Sequence, residues 1–147
     1  MSGTVSEIAE RMRAAAHDPV ASVELVASLL APSIELRHDP PGANDGQIPG
    51  HVLAETSRRE VEAVSRVLPN GFERTSDITV EGDAIRVRNR VSGTLSDGSP
   101  VEVQTNTLFT VANGAIVGLR AEMDAANTER WRALLTGGGF EAHTEGD

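Results

Sequence analysis

His38 and Asp39 stand together in Glu35 to Asp45, "ELRHDPPGAND", where two prolines and a glycine then turn the chain. An imidazole or a carboxylate at a strand end that faces a pocket is a general base, able to take a proton α to a carbonyl. The plain alternative is that Asp39 caps an Asx-turn over "DPPG". Strand alternation separates the two side chains. His38 shares a face with Ile34 and Leu36, and Asp39 shares the other with Arg37. A regular strand with Ile34 and Leu36 inward sends His38 into the pocket, and a bulge before Pro40 sends Asp39 there instead.

A second set lies further on. Arg86, Arg88 and Arg90 alternate with Ile85, Val87, Asn89 and Val91, and a three-residue hairpin at Ser96-Asp97-Gly98 puts Arg88 across from Asn106 and Arg90 across from Gln104. On a concave face, Arg88 with Asn106 holds a carbonyl or carboxylate. On a convex face the arginines are solvated or lie at a dimer surface. His51 and Asp45, with His38-Asp39, have metal-ligand types, but their irregular spacing gives no metal signature. Glu122 offers a further acid, whereas Asp124 reads as a helix-start residue. Phe109, Met123 and Trp131 are expected in the core or the wall of a substrate pocket, and His17 and His143 on the surface.

Composition removes most other chemistries. The 147 residues include no Cys and no Tyr, and all thirteen basic residues are Arg. Thiol nucleophiles, thiolate metal sites, Schiff bases and phenolic acids are therefore excluded. Neither a GxGxxG nor a P-loop is present, so no cofactor is expected. The net charge of -9 argues against nucleic acid or an anionic membrane as partner. No apolar run approaches the roughly 20 residues that cross a bilayer, and the polar "MSGTVSEIAERM" lacks a secretory apolar stretch, so a cytoplasmic location is expected.

The elements that must hold these residues follow from periodicity. Thr4-Val5-Ser6-Glu7 fits a capping box ahead of Ile8, Met12 and Ala15, and Asp18-Pro19 opens a second helix that Pro32 ends. "SIELRHD" alternates as a strand, and a third helix spans Val52 to Leu68. Strands follow at Ile78–Val80, 84–95 and "PVEVQTNTLFTVA". Asn113-Gly114 marks a tight hairpin into "AIVGLRAEMD", and a last helix lies around Thr128–Leu135. The order predicts an α+β fold in which a curved antiparallel sheet wraps over helices as a cone, with one domain over residues 1–136 and a loose tail over 137–147.

In this element order, with "HDPPG" at 38–42, "ANGAIVGL" at 112–119 and "EMD" at 122–124, the chain resembles the nuclear-transport-factor-2-like superfamily, and more narrowly its ketosteroid isomerase and SnoaL-type polyketide cyclase branch. The resemblance implies a cystatin-like cone and a general-base aspartate at Asp39. It puts the second oxyanion donor at Asn106, while the family's tyrosine has no counterpart. Limonene epoxide hydrolases share the fold; Arg88 matches their arginine, but Arg90 and Ala121 stand at the two aspartate positions, so that chemistry is expected to be absent.

Three readings follow. The first is a cofactor-independent isomerase or cyclase, in which Asp39 or His38 moves a proton on a small carbonyl compound and Asn106 with Arg88 stabilises the enolate. The second is a non-catalytic dimer that binds a small apolar ligand, and the third an interaction module whose cone its own side chains fill. The wide open sheet face predicts a homodimer.

Overall fold

In the computed structural model the described residues are 4–39 and 45–139. Helix α1 (Val5–Ala15) starts at the expected capping box: the Glu7 N–H donates to Thr4 Oγ1 at 3.2 Å, and the Thr4 N–H donates to the Glu7 carboxylate at 2.8 Å. Its stripe of Ile8, Ala9 and Met12 is buried. In α2 (Pro19–Leu29), Asp18 Oδ1 accepts the N–H groups of Val20 and Ala21. Strand β1 (Leu30–Asp39) follows at once, so Ala31 and Pro32 are already strand.

The remaining elements are β2 (Gly46–Pro49), α3 (Gly50–Val67), β3 (Phe72–Glu81), β4 (Ala84–Thr94), β5 (Pro100–Ala112), β6 (Ala115–Glu122) and α4 (Ala125–Gly137). The third and last helices start earlier than periodicity predicts. Asp124 caps α4 by accepting the Asn127 N–H at 2.7 Å. Pro40, Pro41 and Gly42 of "HDPPG", and residues 140–147 with His143 and most of the expected tail, lie outside the described residues.

One curved, open sheet takes the order β2-β1-β6-β5-β4-β3, with the helices on one face. The fold is α+β, as expected. Pairing along β3-β4-β5-β6 is antiparallel, and Arg88 lies opposite Asn106 and Arg90 opposite Gln104, the register that the short hairpin dictates. Asn113 and Gly114 both take positive φ, 53° and 75°, which closes the β5–β6 hairpin with the strand twist. Two features escape the sequence reading. Strand β2 exists, and β1 joins β6 in parallel, because residues such as Leu36 and Leu119, 83 positions apart in the chain, meet only when the sheet assembles.

Two apolar clusters hold the helices down. Ile8, Ala9, Met12 and Leu29 pack on Ile78, Ile85, Val87 and Phe109. Ala63, Val64, Leu68, Leu134 and Leu135 pack on Val91 and Val103. At the start of α3, Gly50 is buried so close to β1 that a Cβ there would meet the Ala31 carbonyl oxygen at 2.2 Å. Backbone cannot yield cheaply at that contact. Gly50→Ala is therefore expected to cost roughly 1–3 kcal/mol and to lower the melting temperature by several degrees in a calorimetric scan.

Candidate functional site

The side of β4 that carries Ile85, Val87 and Val91 is buried under the helices, so direct cross-strand partners of these residues share the helix-facing side. One row runs Ile78, Val87, Thr107, Ala121 and His38. The next holds Ser76, Asn89 and Thr105, and the next Arg74, Val91 and Val103. Ile78 and Val87 belong to the first cluster, and Val91 and Val103 to the second. Between the clusters lies a half-buried polar belt of Arg74, Ser76, Asn89, Thr105 and Thr107.

The belt is pre-set for hydrogen bonding. The Ser76 hydroxyl donates to Asn89 Oδ1 at 2.5 Å, which fixes the amide and leaves its NH2 group as the donating end. Arg74 reaches from β3 to α2, where Nη2 donates to Ser22 Oγ at 3.1 Å. Its Nε is enclosed and has no hydrogen-bond partner among the described residues. Burial pulls the guanidinium below its usual range, yet an arginine remains charged at any physiological pH.

Helix α3 contributes the titratable group. Glu60 lies on the stripe of the buried Leu53 and Val64, and the Trp131 side chain of α4 hydrogen-bonds it. The residue is half-buried. Burial pushes that carboxyl up to about 7, with the Trp131 hydrogen bond pulling the other way. Trp131 itself packs against the second apolar cluster.

The residues singled out from the sequence divide between the two sides. Strand β1 pairs with β6 without interruption from Glu35 to Asp39, so the regular alternation holds. His38 takes the helix-facing side, with Nδ1 2.6 Å from Asp45 Oδ1 and its backbone N–H on Asp45 Oδ2 at 3.1 Å. Asp39 takes the outer side and accepts from Arg120 at 3.0 Å. Arg88 and Asn106 face each other on the outer side too. Asn106 Oδ1 accepts from Arg86 at 2.9 Å, and Arg88 is exposed, 3.8 Å from Asp77. Glu122 also holds Arg86, at 3.0 Å. Phe109 is buried in the first cluster, and Met123 and Trp131 adjoin the second. The structure thus brings Trp131 to Glu60, a residue the sequence reading passed over. It separates Arg88, Asn106 and Asp39 from the helix-facing side.

Two recesses open between the helices. One, of about 550 Å³, lies between α2, the start of β1 and α3; it includes His51 and is bordered by Arg58, which grips Glu24 at 2.7 and 2.9 Å. The other, of about 380 Å³, lies between the start of α2, the end of α3 and the start of β3. Among the described residues no three His, Asp or Glu side chains gather as a metal set, and no helix is long and apolar enough to cross a membrane.

No family model matches the chain, and no curated protein matches it in sequence. Solved structures do match it in shape. A protein described as a SnoaL-like polyketide cyclase from Jannaschia sp. CCS1 is 18% identical, with 84% of this chain and 90% of that one covered at a TM-score of 0.55. A nuclear-transport-factor-2-like protein of unknown function from Burkholderia pseudomallei is 18% identical, covering 88% and 97% at 0.57. An epoxide hydrolase of the limonene epoxide hydrolase-like kind from M. tuberculosis is 21% identical, covering 90% of each chain at 0.53. At these identities the likeness is one of fold.

The raised Glu60 carboxyl has a consequence for stability. Below the ordinary value of 4.5 both folded and unfolded chains are protonated there, and between 4.5 and about 7 the unfolded chain ionises first. Stability therefore falls as pH rises through that window, by on the order of 2–3 kcal/mol, and the loss is complete above it. Glu60→Gln removes this loss. Its melting temperature relative to the wild type is expected to be several degrees higher at pH 8 than at pH 5.

Proposed function

We infer, starting from the fold this chain shares with SnoaL-like and nuclear-transport-factor-2-like proteins, that it is a cofactor-independent acid–base enzyme of the isomerase or cyclase type. Its substrate is a small carbonyl compound held against the helix-facing side of the sheet. The observation that carries this reading is Glu60, a carboxyl enclosed beside the Trp131 indole on the α3 stripe that faces the sheet. A base works best when its pKa lies near the working pH, and an enclosed carboxyl near 7 meets that condition.

Each step has a group available. Ionised Glu60 takes the proton from the carbon α to the carbonyl, and the C–H electron pair passes into the enolate. Protonated Glu60 then returns the proton to a carbon of the same substrate. The enolate oxygen needs donors, and the Asn89 amide, oriented by Ser76, supplies them with the Thr105 and Thr107 hydroxyls beside it. His38 serves the same side from β1. Asp45 on its Nδ1 fixes the ring and directs Nε2 away as the second proton-transfer group. Asp39 and Asn106, the positions the ketosteroid isomerase resemblance favours, have no part in this scheme, since both engage arginines on the outer side.

The second reading, a non-catalytic binder of small apolar molecules, draws on the same displacement: Asn106 and Arg88 cannot polarise a carbonyl held on the opposite face. Hydrogen–deuterium exchange α to the carbonyl, followed by NMR with a panel of enolisable cyclic ketones, separates the two. We expect exchange with an inflection near pH 7, reduced at least roughly 100-fold in Glu60→Gln and little changed in Asp39→Asn. Ligand-induced change in Trp131 fluorescence with no exchange above buffer would select the binder, and exchange unaffected by Glu60→Gln would remove Glu60 from the mechanism.

A further inference from the structure

The open sheet ends in two edge strands, β2 and β3. An edge strand presents backbone N–H and C=O groups that another chain can use as a template. Strand β2 is four residues long and ends in Pro49, so it offers little to pair with. Strand β3 is ten residues long. It turns into β4 through the two-residue loop Gly82-Asp83, which makes Glu81 and Ala84 a hydrogen-bonded pair. The bonding direction alternates along an antiparallel strand. Thr75, Asp77 and Thr79 therefore bond to β4, and Ser76, Ile78 and Val80 direct their N–H and C=O groups to the open side.

A side chain already occupies that side at Ile78. The Arg13 guanidinium of α1 donates twice to the Ile78 carbonyl oxygen, from Nε at 3.2 Å and from Nη2 at 2.8 Å. Glu10, one turn back on α1, forms an ion pair with Nη1 of the same group. Two donors take both lone pairs of the oxygen and leave none for an incoming N–H. The place is open to solvent, since the Arg13 side chain is 44% exposed and Val80, two residues along the edge, 38%. The packing of α1 comes from Ile8, Ala9 and Met12, so Arg13 is spent on the edge itself.

We propose that Arg13 guards the β3 edge, and that the strand it keeps off is β3 of a second copy of this chain. Two copies related by a two-fold axis at Ile78 pair antiparallel. Ile78 then meets its counterpart, Ser76 meets Val80, Asp77 meets Thr79 and Thr75 meets Glu81. The register is self-complementary, and no two like charges stand directly opposite. Its central hydrogen bonds need the Ile78 carbonyl, the group that Arg13 holds. The proposal concerns association of the folded chain and stands apart from proton transfer at Glu60.

Sedimentation equilibrium of the full chain, as wild type and as Arg13→Ala, tests it. Arg13→Ala is expected to self-associate roughly tenfold or more tightly than the wild type, with amide hydrogen exchange at Ser76 and Val80 slowed as the assembly forms. That exchange readout separates edge pairing from any contact through the face of the sheet. Arg13→Lys retains a donor and is expected to stay close to the wild type. Val80→Pro, added to Arg13→Ala, removes an open-side N–H and no bond to β4, and is expected to return the wild-type mass. Glu10→Gln loosens the guanidinium without removing it and is expected to shift the mass in the same direction by less, which keeps the test valid if Arg13→Ala does not fold. A wild-type mass in both Arg13→Ala and Glu10→Gln overturns the proposal, as does an association that leaves exchange at Ser76 and Val80 unchanged or survives Val80→Pro.

Discussion

The alternation along β4 is the constraint on which the other assignments depend. Ile85, Val87 and Val91 are buried beneath the helices, while Arg86, Arg88 and Arg90 project from the opposite side. A slip of one residue would drive three guanidinium groups into the apolar clusters and expose three aliphatic side chains, so the register tolerates no alternative. Direct pairing carries that choice to β3 and β5, then to β6, and through the parallel pairing to β1. His38 faces the helices and Asp39 faces away because of packing on β4, three strands from β1 in the sheet, not because of anything in "HDPPG" itself.

Local signals were legible because local physics produces them. The capping box at Thr4, the Asp18-Pro19 helix start and the Asn113-Gly114 hairpin each involve residues within a few positions of one another. The Arg88–Asn106 register followed from loop length alone. The parallel β1–β6 pairing and the short β2 were not legible, since each depends on contacts that form only when distant segments meet. Parity gave the sides that His38 and Asp39 face, which the motif does not encode. The motif matches residue types, whereas the alternation reports which side is dry.

Glu60 and Arg74 mark a different limit. In "SRREVEAV" one more glutamate on an amphipathic helix reads as a solvated charge, and in "FERTSDITV" an arginine reads as one polar step in an alternating strand. Their importance lies in what surrounds them. Glu60 is enclosed because α4 docks across α3, where Gly138 approaches so near Ala63 that a Cβ would sit 2.0 Å from its carbonyl oxygen. Arg74 is notable for a partner it lacks among the described residues, and no pattern in a single sequence shows an absent partner.

The two sides of the sheet therefore follow opposite electrostatic rules. On the outer side, Arg86 with Glu81 and Glu122, and Arg120 with Asp39, form exposed or half-exposed pairs that cancel one another and cost little. On the helix-facing side, Glu60 sits near its midpoint of ionisation at about 7 and Arg74 keeps a charge with a single neutral partner. Both arrangements lower the stability of the folded chain, and a carboxylate beside Arg74 would have lessened its cost. Although the chain carries 22 acids, none of the described carboxylates forms an ion pair with Arg74, whose hydrogen-bond partner is the neutral Ser22.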